Sequence, residues 1–297
     1  MEKATLVKPP GEVQPCESQL TLYELPMSPF SRIARFALAE KALEYRTVIL
    51  DGMKGDVMEP EYVEKVNAKM LAPVLKVDGE RVIPDSRDIL HYLEDEAKLG
   101  VPLTAPEKRK EMWAFVDRVY EVPLQPLFFG FLKTNGMEGV VRSMMIDKPR
   151  AKLEALAAAH PHLKEAYDAK LKEVEARPSR LEKKAGEDAK AAMLGLYQKA
   201  EDRLAAPEHE GPFLFGSNMS VADIAFSTFA FMAANLGYPA EATPKAFPRT
   251  FAYLAAVRAR PACKAAKVNA GLPLMMRVMM VPMGIVARVM RMLGRKD

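Results

Sequence analysis

Between residues 19 and 96 the apolar pattern switches repeatedly between strand and helix spacing, and beyond residue 108 no β-run of any length follows. Leu20-Thr21-Leu22-Tyr23 is a short β-prone run stopped by Pro26. Pro29 opens a helix predicted to reach about Ala42, with Ile33, Phe36 and Ala37 at helical spacing. Arg46–Leu50 is a second strand, rich in β-branched residues, and Pro60–Val66 reads as helical. Pro73-Val74-Leu75-Lys76-Val77 then meets Arg81-Val82-Ile83 across Asp78-Gly79, a two-residue hairpin signal. Asp85-Ser86 starts another helix over Asp88–Glu96. The order β-α-β-α-β-β-α joins a parallel βαβ unit to an antiparallel hairpin, which is the thioredoxin-like arrangement.

The expected organisation follows from these breaks. Residues 1–17, with Pro9, Pro10, Gly11 and Pro15 and no periodicity, form an extended arm. Residues 18–100 form the thioredoxin-like α/β domain, and 101–108, with two prolines, are the linker. Residues 109–268 form an all-helical domain with an insertion at about 134–190. The stretch from about Asp147 to Ala206 is dense in Ala, Glu, Lys and Leu, strong helix formers. Its many charges suggest a long solvent-washed hairpin. Ser220-x-x-Asp223 is a capping box ahead of the apolar run Ile224–Met232, expected as a buried central helix. Pro248 and Pro261 bracket the last regular helix.

Charge is unevenly placed. The chain carries +4 at neutral pH, and residues 271–297 hold five basic side chains against one acidic. The body is therefore neutral, which argues against nucleic acid as a ligand, because that would need a basic face. In the tail 269–297, Arg288, Arg291 and Arg295 share one side of a helix whose remaining circumference is Leu, Val, Ile and Met. Its longest uncharged run, Val278–Ala287, is ten residues, against the about 20 a membrane span needs. Three readings stand: a helix lying in a membrane surface, a helix docked on a membrane protein complex, or a tail folded back on its own domain. The N-terminus lacks a signal-peptide core, and Glu2 and Glu12 do not suit a transit peptide. An intracellular protein peripheral to a membrane, with a mitochondrion or chloroplast as the candidate organelles, is the expectation.

Four motifs carry a resemblance. Ser28-Pro29-Phe30-Ser31, followed by Arg35-Phe36-Ala37-Leu38, resembles the active-site turn of the glutathione transferases. Ala72-Pro73-Val74-Leu75 looks like that family's cis-proline loop, Asp85-Ser86 like its acidic-Ser pair, and Ser220-x-x-Asp223 like its helical-domain capping box. The lengthened helical domain and hydrophobic extension are similar to the tetrachlorohydroquinone-dehalogenase-like class of plants. They are also similar to the ganglioside-induced differentiation-associated family.

The resemblance implies glutathione as co-substrate. Ser28, at a helix N-terminus, would stabilise its thiolate; Leu71, Ala72 and Pro73 would pair with its cysteinyl part like an added strand. Ser86 and the N–H groups beside it would take the γ-glutamyl carboxylate, and Asp85 the α-ammonium. A small hydrophobic electrophile would be the second substrate, in conjugation or dehalogenase-like elimination. The alternatives are a non-catalytic subunit or scaffold on a membrane complex and a membrane-remodelling protein, and a homodimer is compatible with each. Read from residues alone, Ser28 before Pro29 is also an ordinary N-cap, Pro73 an ordinary strand-start proline, and Asp85 a helix cap. Ser31 and Tyr23 are alternates to Ser28. His160-x-His162 reads as a helix boundary with no metal, Cys263 as packed, and Trp113 as lying near the linker.

Overall fold

In the computed structural model, which describes residues 4–10, 19–127, 139, 142–178, 182–236 and 239–271, five strands form one sheet in the order β1-β3-β2-β4-β5. These are β1 (Thr5–Val7), β2 (Leu20–Glu24), β3 (Tyr45–Ile49), β4 (Val74–Val77) and β5 (Arg81–Pro84). β2 and β3 run parallel, so the chain between them must cross over, and helix α1 (Pro29–Glu40) makes the crossing. β4 returns antiparallel on β2, and β5 on β4. Asp78 and Gly79 both take positive φ, as the predicted turn requires, and Glu80 N–H closes it on the Val77 carbonyl at 3.2 Å.

Three sequence expectations need correction. Within the expected arm, Thr5–Val7 is not a free segment: it pairs antiparallel with β3 as an edge strand, too short to show a period. Helix α1 stops at Glu40 rather than Ala42, because Ala42 adopts a left-handed φ of 54° and Leu43 N–H reaches back to the Leu38 carbonyl at 3.0 Å. The third correction concerns the insertion, described below.

Helix α2 (Pro60–Lys65) and helix α3 (Ser86–His91, continued as a π-helical turn over Tyr92–Glu96) complete the first domain. Leu103 of the linker is buried, and its N–H meets both Glu94 carboxylate oxygens at 3.0 and 3.1 Å. Thr104 Oγ1 donates to the same carboxylate at 2.9 Å. Glu94 is also ion-paired to buried Lys41, whose ammonium donates to the Val101 carbonyl at 3.0 Å. Gly100, at φ 63°, leaves room for this crossing, since a Cβ there would lie 2.2 Å from the Lys41 carbonyl oxygen.

The second domain is built from α4 (Arg109–Tyr120), α5 (Lys148–Ala159), α6 (Lys164–Glu175), α7 (Lys183–Ala205), α8 (Val221–Leu236), α9 (Pro248–Ala259) and α10 (Pro261–Ala265). α8 is the buried central helix predicted. Its capping box is formed in both directions, with Ser220 N–H on Asp223 Oδ2 at 2.8 Å and Asp223 N–H on Ser220 Oγ at 3.3 Å. One apolar core runs from Leu22 and Phe36 through Val116 to Phe226 and Val257, without a break between the domains. Trp113 of α4 stacks on His91 of α3, ring centroids 3.7 Å apart.

The hairpin α5–α6 is not washed by solvent on all sides. Leu153 and Tyr167 are fully buried, and they pack with Ile146 and Val174 against Met58, Val63 and Met70 of the first domain. The C-terminal tail lies outside the described residues from 272 onward. Among the described residues no helix is long and apolar enough to cross a membrane.

Replacing Lys41 with Met would leave the Glu94 carboxylate buried without its counter-charge. Burial alone already holds the Lys41 ammonium below its usual range, against the pull of Glu94. Urea unfolding of Lys41→Met is expected to show a loss of about 3–5 kcal/mol; a loss under about 1 kcal/mol would mean the linker contact carries little.

Candidate functional site

The sheet register gathers the predicted site residues at one end. Tyr23, next to the last residue of β2, pairs with Val74, the first of β4, and Val74 pairs with Pro84, the last of β5. The turn into α1, the loop before β4 and the start of α3 therefore emerge side by side. Asp85 N–H closes the arrangement on the Pro73 carbonyl at 3.1 Å.

Ser28 occupies the N-cap position of α1, with φ −67° and ψ 127° and Pro29 at the first helical position. Its N–H is held by the Leu25 carbonyl at 2.9 Å. Its side chain makes no capping bond, so the half-buried hydroxyl is not spent on the helix end. The two alternates differ. Ser31 is fully buried, and its Oγ accepts the Leu25 N–H at 3.2 Å. Tyr23 lies edge-on to Tyr62, and burial, with Glu61 nearby, pushes its hydroxyl pKa up.

Two arginines of α1 fasten this turn to the far end of the helical domain. Arg32 donates from Nε to the Pro26 carbonyl at 3.4 Å and from Nη1 to the Val268 carbonyl at 3.1 Å. Arg35 donates from Nε to the Ala266 carbonyl at 3.0 Å and from Nη2 to the Pro26 carbonyl at 3.3 Å, and is ion-paired to Glu24. Arg32 has no carboxylate partner among the described residues. Burial, aided by the Arg35 charge, brings its pKa down to about 10.

The Ala72–Pro73 peptide bond is cis. Leu71, partly exposed, has its carbonyl held by Tyr62 OH at 2.6 Å and Asn67 Nδ2 at 3.1 Å. Among the described residues neither the N–H nor the C=O of Ala72 has a partner. Asp85 is exposed at the N-cap of α3, with its carboxylate accepting the Arg87 N–H at 2.8 Å. Ser86 is fully buried, and its hydroxyl shares a 2.7 Å hydrogen bond with Tyr120 of α4. Its Oγ thus faces the domain interface, and the exposed Asp85 side chain is what the start of α3 presents outward.

Sequence reasoning missed Tyr120, Tyr62 and Asn67. Tyr120 also closes an aromatic group with Phe30, just after Ser28, and Phe229 of α8, with centroids 5.9 to 6.2 Å apart. Two clefts of about 440 and 620 Å³ open elsewhere. One lies along β5 and α3 beside His91, the other between the linker and Phe215. His160 ends α5, and His162 Nε2 meets Glu64 Oε1 at 2.7 Å; no metal-holding cluster occurs among the described residues. Cys263 is buried within α10.

Comparisons with known proteins bear on the family and the fold. The glutathione S-transferase N-terminal domain matches residues 22–123, and the glutathione S-transferase C-terminal domain matches residues 175–266. The chain is 27% identical to the tetrachloro-p-hydroquinone reductive dehalogenase of Sphingobium chlorophenolicum over 252 residues, covering 84% of this chain and 96% of that one. It is 26% identical to the glutathione S-transferase TCHQD of Arabidopsis thaliana over 211 residues, covering 69% and 73%. The fold resembles that of the beta-etherase LigF from Sphingobium sp. strain SYK-6, with a TM-score of 0.57 and 22% identity over 84% of this chain and 98% of that one.

Burial pushes the Cys263 thiol up to about 11. At pH 8 about 0.1% of such a thiol is ionised. Peptide mapping after iodoacetamide treatment is expected to find Cys263 unmodified in the native protein and modified in urea. Rapid native labelling would show this thiol to be available for chemistry.

Proposed function

The chain belongs to the glutathione S-transferase family, and from that premise we propose that it binds glutathione at the C-terminal end of β2 and turns its thiolate on a small apolar electrophile. The observation that carries this reading is the uncommitted hydroxyl of Ser28 at the N-terminus of α1. Three further features fit the tripeptide. The open N–H and C=O of Ala72 can take an extended backbone as an added strand edge would. The first N–H groups of α3 suit a carboxylate. The exposed Asp85 carboxylate suits an ammonium.

A free thiol has a pKa of about 8.5, so only a few per cent is nucleophilic at pH 7. The Ser28 O–H, donating to the sulfur, favours the ionised form, and the α1 dipole adds to it. A fall of about 2 pKa units corresponds to about 2.7 kcal/mol of differential stabilisation. Attack on an electrophilic carbon forms the S–C bond as the C–X bond breaks, and the leaving group departs with the bonding pair. A second glutathione thiolate attacking the sulfur of the thioether would form the glutathione disulfide as the S–C bond breaks, with the carbon taking up a proton. That net replacement of halogen by hydrogen is a reductive dehalogenation, the reaction in the name of the Sphingobium relative. Thiol–disulfide exchange through a cysteine at the α1 turn is disfavoured, because position 28 is Ser. Half-buried Phe30 and Tyr120, backed by buried Phe229, are the apolar groups that the electrophile would meet next to the Ser28 turn.

Ser28→Ala tests the proposal with a chloronitroaromatic substrate across a pH series. The variant is expected to bind glutathione about as well as wild type, with kcat/KM down about 10- to 30-fold at pH 6.5–7. The sign follows from the thiol: losing the O–H donor raises its pKa, so the defect shrinks toward pH 9. A defect equal at every pH would contradict thiolate stabilisation by Ser28. No glutathione binding at ~10 mM would contradict the binding site itself.

A further inference from the structure

Residues 124–174 fall between the two family-matched regions, and α5 and most of α6 lie there. This insertion does not project away from the molecule. It grips the segment that leads from β3 through α2 to the Leu71–Pro73 loop.

The grip is specific. The Lys152 ammonium donates to the Lys54 carbonyl at 2.6 Å, the Gly55 carbonyl at 3.2 Å and Glu59 Oε1 at 2.6 Å, so all three of its protons are placed on one short stretch. Gly55, at φ 74°, makes the turn that aims these carbonyls. Tyr167, fully buried, donates its hydroxyl to the Met58 carbonyl at 3.0 Å. Met58, Val63 and Met70 fill the space between α2 and the hairpin. On its other side α2 faces the sheet, with Tyr62 and Val66 packed against Val48, Leu50 and Val74. Tyr62 and Asn67 then hold the Leu71 carbonyl, next to the open backbone groups of Ala72. Met70, at φ 54° and buried, couples the hairpin contact directly to the residue before that loop.

We propose that the α5–α6 hairpin is a brace that preorganises the glutathione-binding loop, with Lys152 and Tyr167 as its positioning residues. The proposal rests on the glutathione site described above. Without the brace, α2 would hold the loop from the sheet side alone, and binding would have to order it. The cost falls on glutathione affinity and leaves the Ser28 chemistry unchanged.

The test uses Tyr167→Phe, Lys152→Met and the double variant in the full chain. Arg150→Gln, which removes two exposed ion pairs within the hairpin, to Glu154 on α5 and to Glu175 at the end of α6, serves as control. The double variant is expected to raise the KM for glutathione about 5- to 10-fold with kcat at saturation within about 2-fold. Its pH profile should match wild type, and hydrogen exchange should quicken over residues 58–71 while β2 and α1 stay protected. Lys152→Arg should restore most of the affinity, and Arg150→Gln should change nothing. If wild type binds glutathione and the variants alter neither KM nor exchange over 58–71, the brace is overturned and the binding site stands. If kcat falls as much as affinity, the positioning role is overturned. If wild type binds no glutathione, the site reading fails and takes the positioning role with it. Tyr167→Phe, a single oxygen removed, keeps the test open should the double variant fold poorly.

Discussion

Helix α1 is buried from Ser31 to Glu40, and that interval together with Lys41 contains four charged side chains that water cannot solvate. Each must find its partner within the protein or cost several kcal/mol. The partners come from every neighbouring part. Glu24 of β2 takes Arg35, the carbonyls of Ala266 and Val268 take Arg35 and Arg32, Arg260 forks onto Glu40 at 2.6 Å, and Glu94 takes Lys41. The sheet, the linker and the last helices are thus fixed to one axle. The turn carrying Ser28 sits at its open end, held on one side by Pro26 contacts and on the other by the helical domain.

From this frame the site follows by register. A parallel β2–β3 pair and an antiparallel β2–β4–β5 group place three chain reversals at one end of the sheet. Among the described residues the polar backbone of Ala72 is left without a partner there. Ser86 shows how the domains share the work. Its hydroxyl faces Tyr120 instead of solvent, so it joins α3 to α4 and leaves Asp85 as the exposed group at the start of α3. The burial that places the Tyr120 hydroxyl there pushes its pKa up, which keeps it a neutral partner.

Much of this was legible in the sequence. The βαβ unit and hairpin declared themselves through period-two runs and Asp78-Gly79, and the Ser220–Asp223 box through its spacing. Thr5–Val7 was not legible, because three residues on a sheet edge carry no period and gain their structure from pairing with β3. That Ser28 leaves its hydroxyl free was not legible either, since Ser-Pro at a helix start reads equally as a cap. The insertion misled for a clearer reason. Its buried face is carried by few side chains, chiefly Leu153, Tyr167 and Val174, amid charge and alanine. Its firmest contacts run from one lysine to backbone carbonyls about a hundred residues away, which no local pattern encodes.

The central claim is that Ser28 and the α1 terminus lower the pKa of a bound thiol and so raise its ionised fraction. The direct measurement is a pH titration of the ultraviolet thiolate absorbance of glutathione mixed with excess full-length protein. The account predicts an apparent pKa about 2 units under the free-thiol value of about 8.5. A bound thiol that titrates at the free value would contradict it.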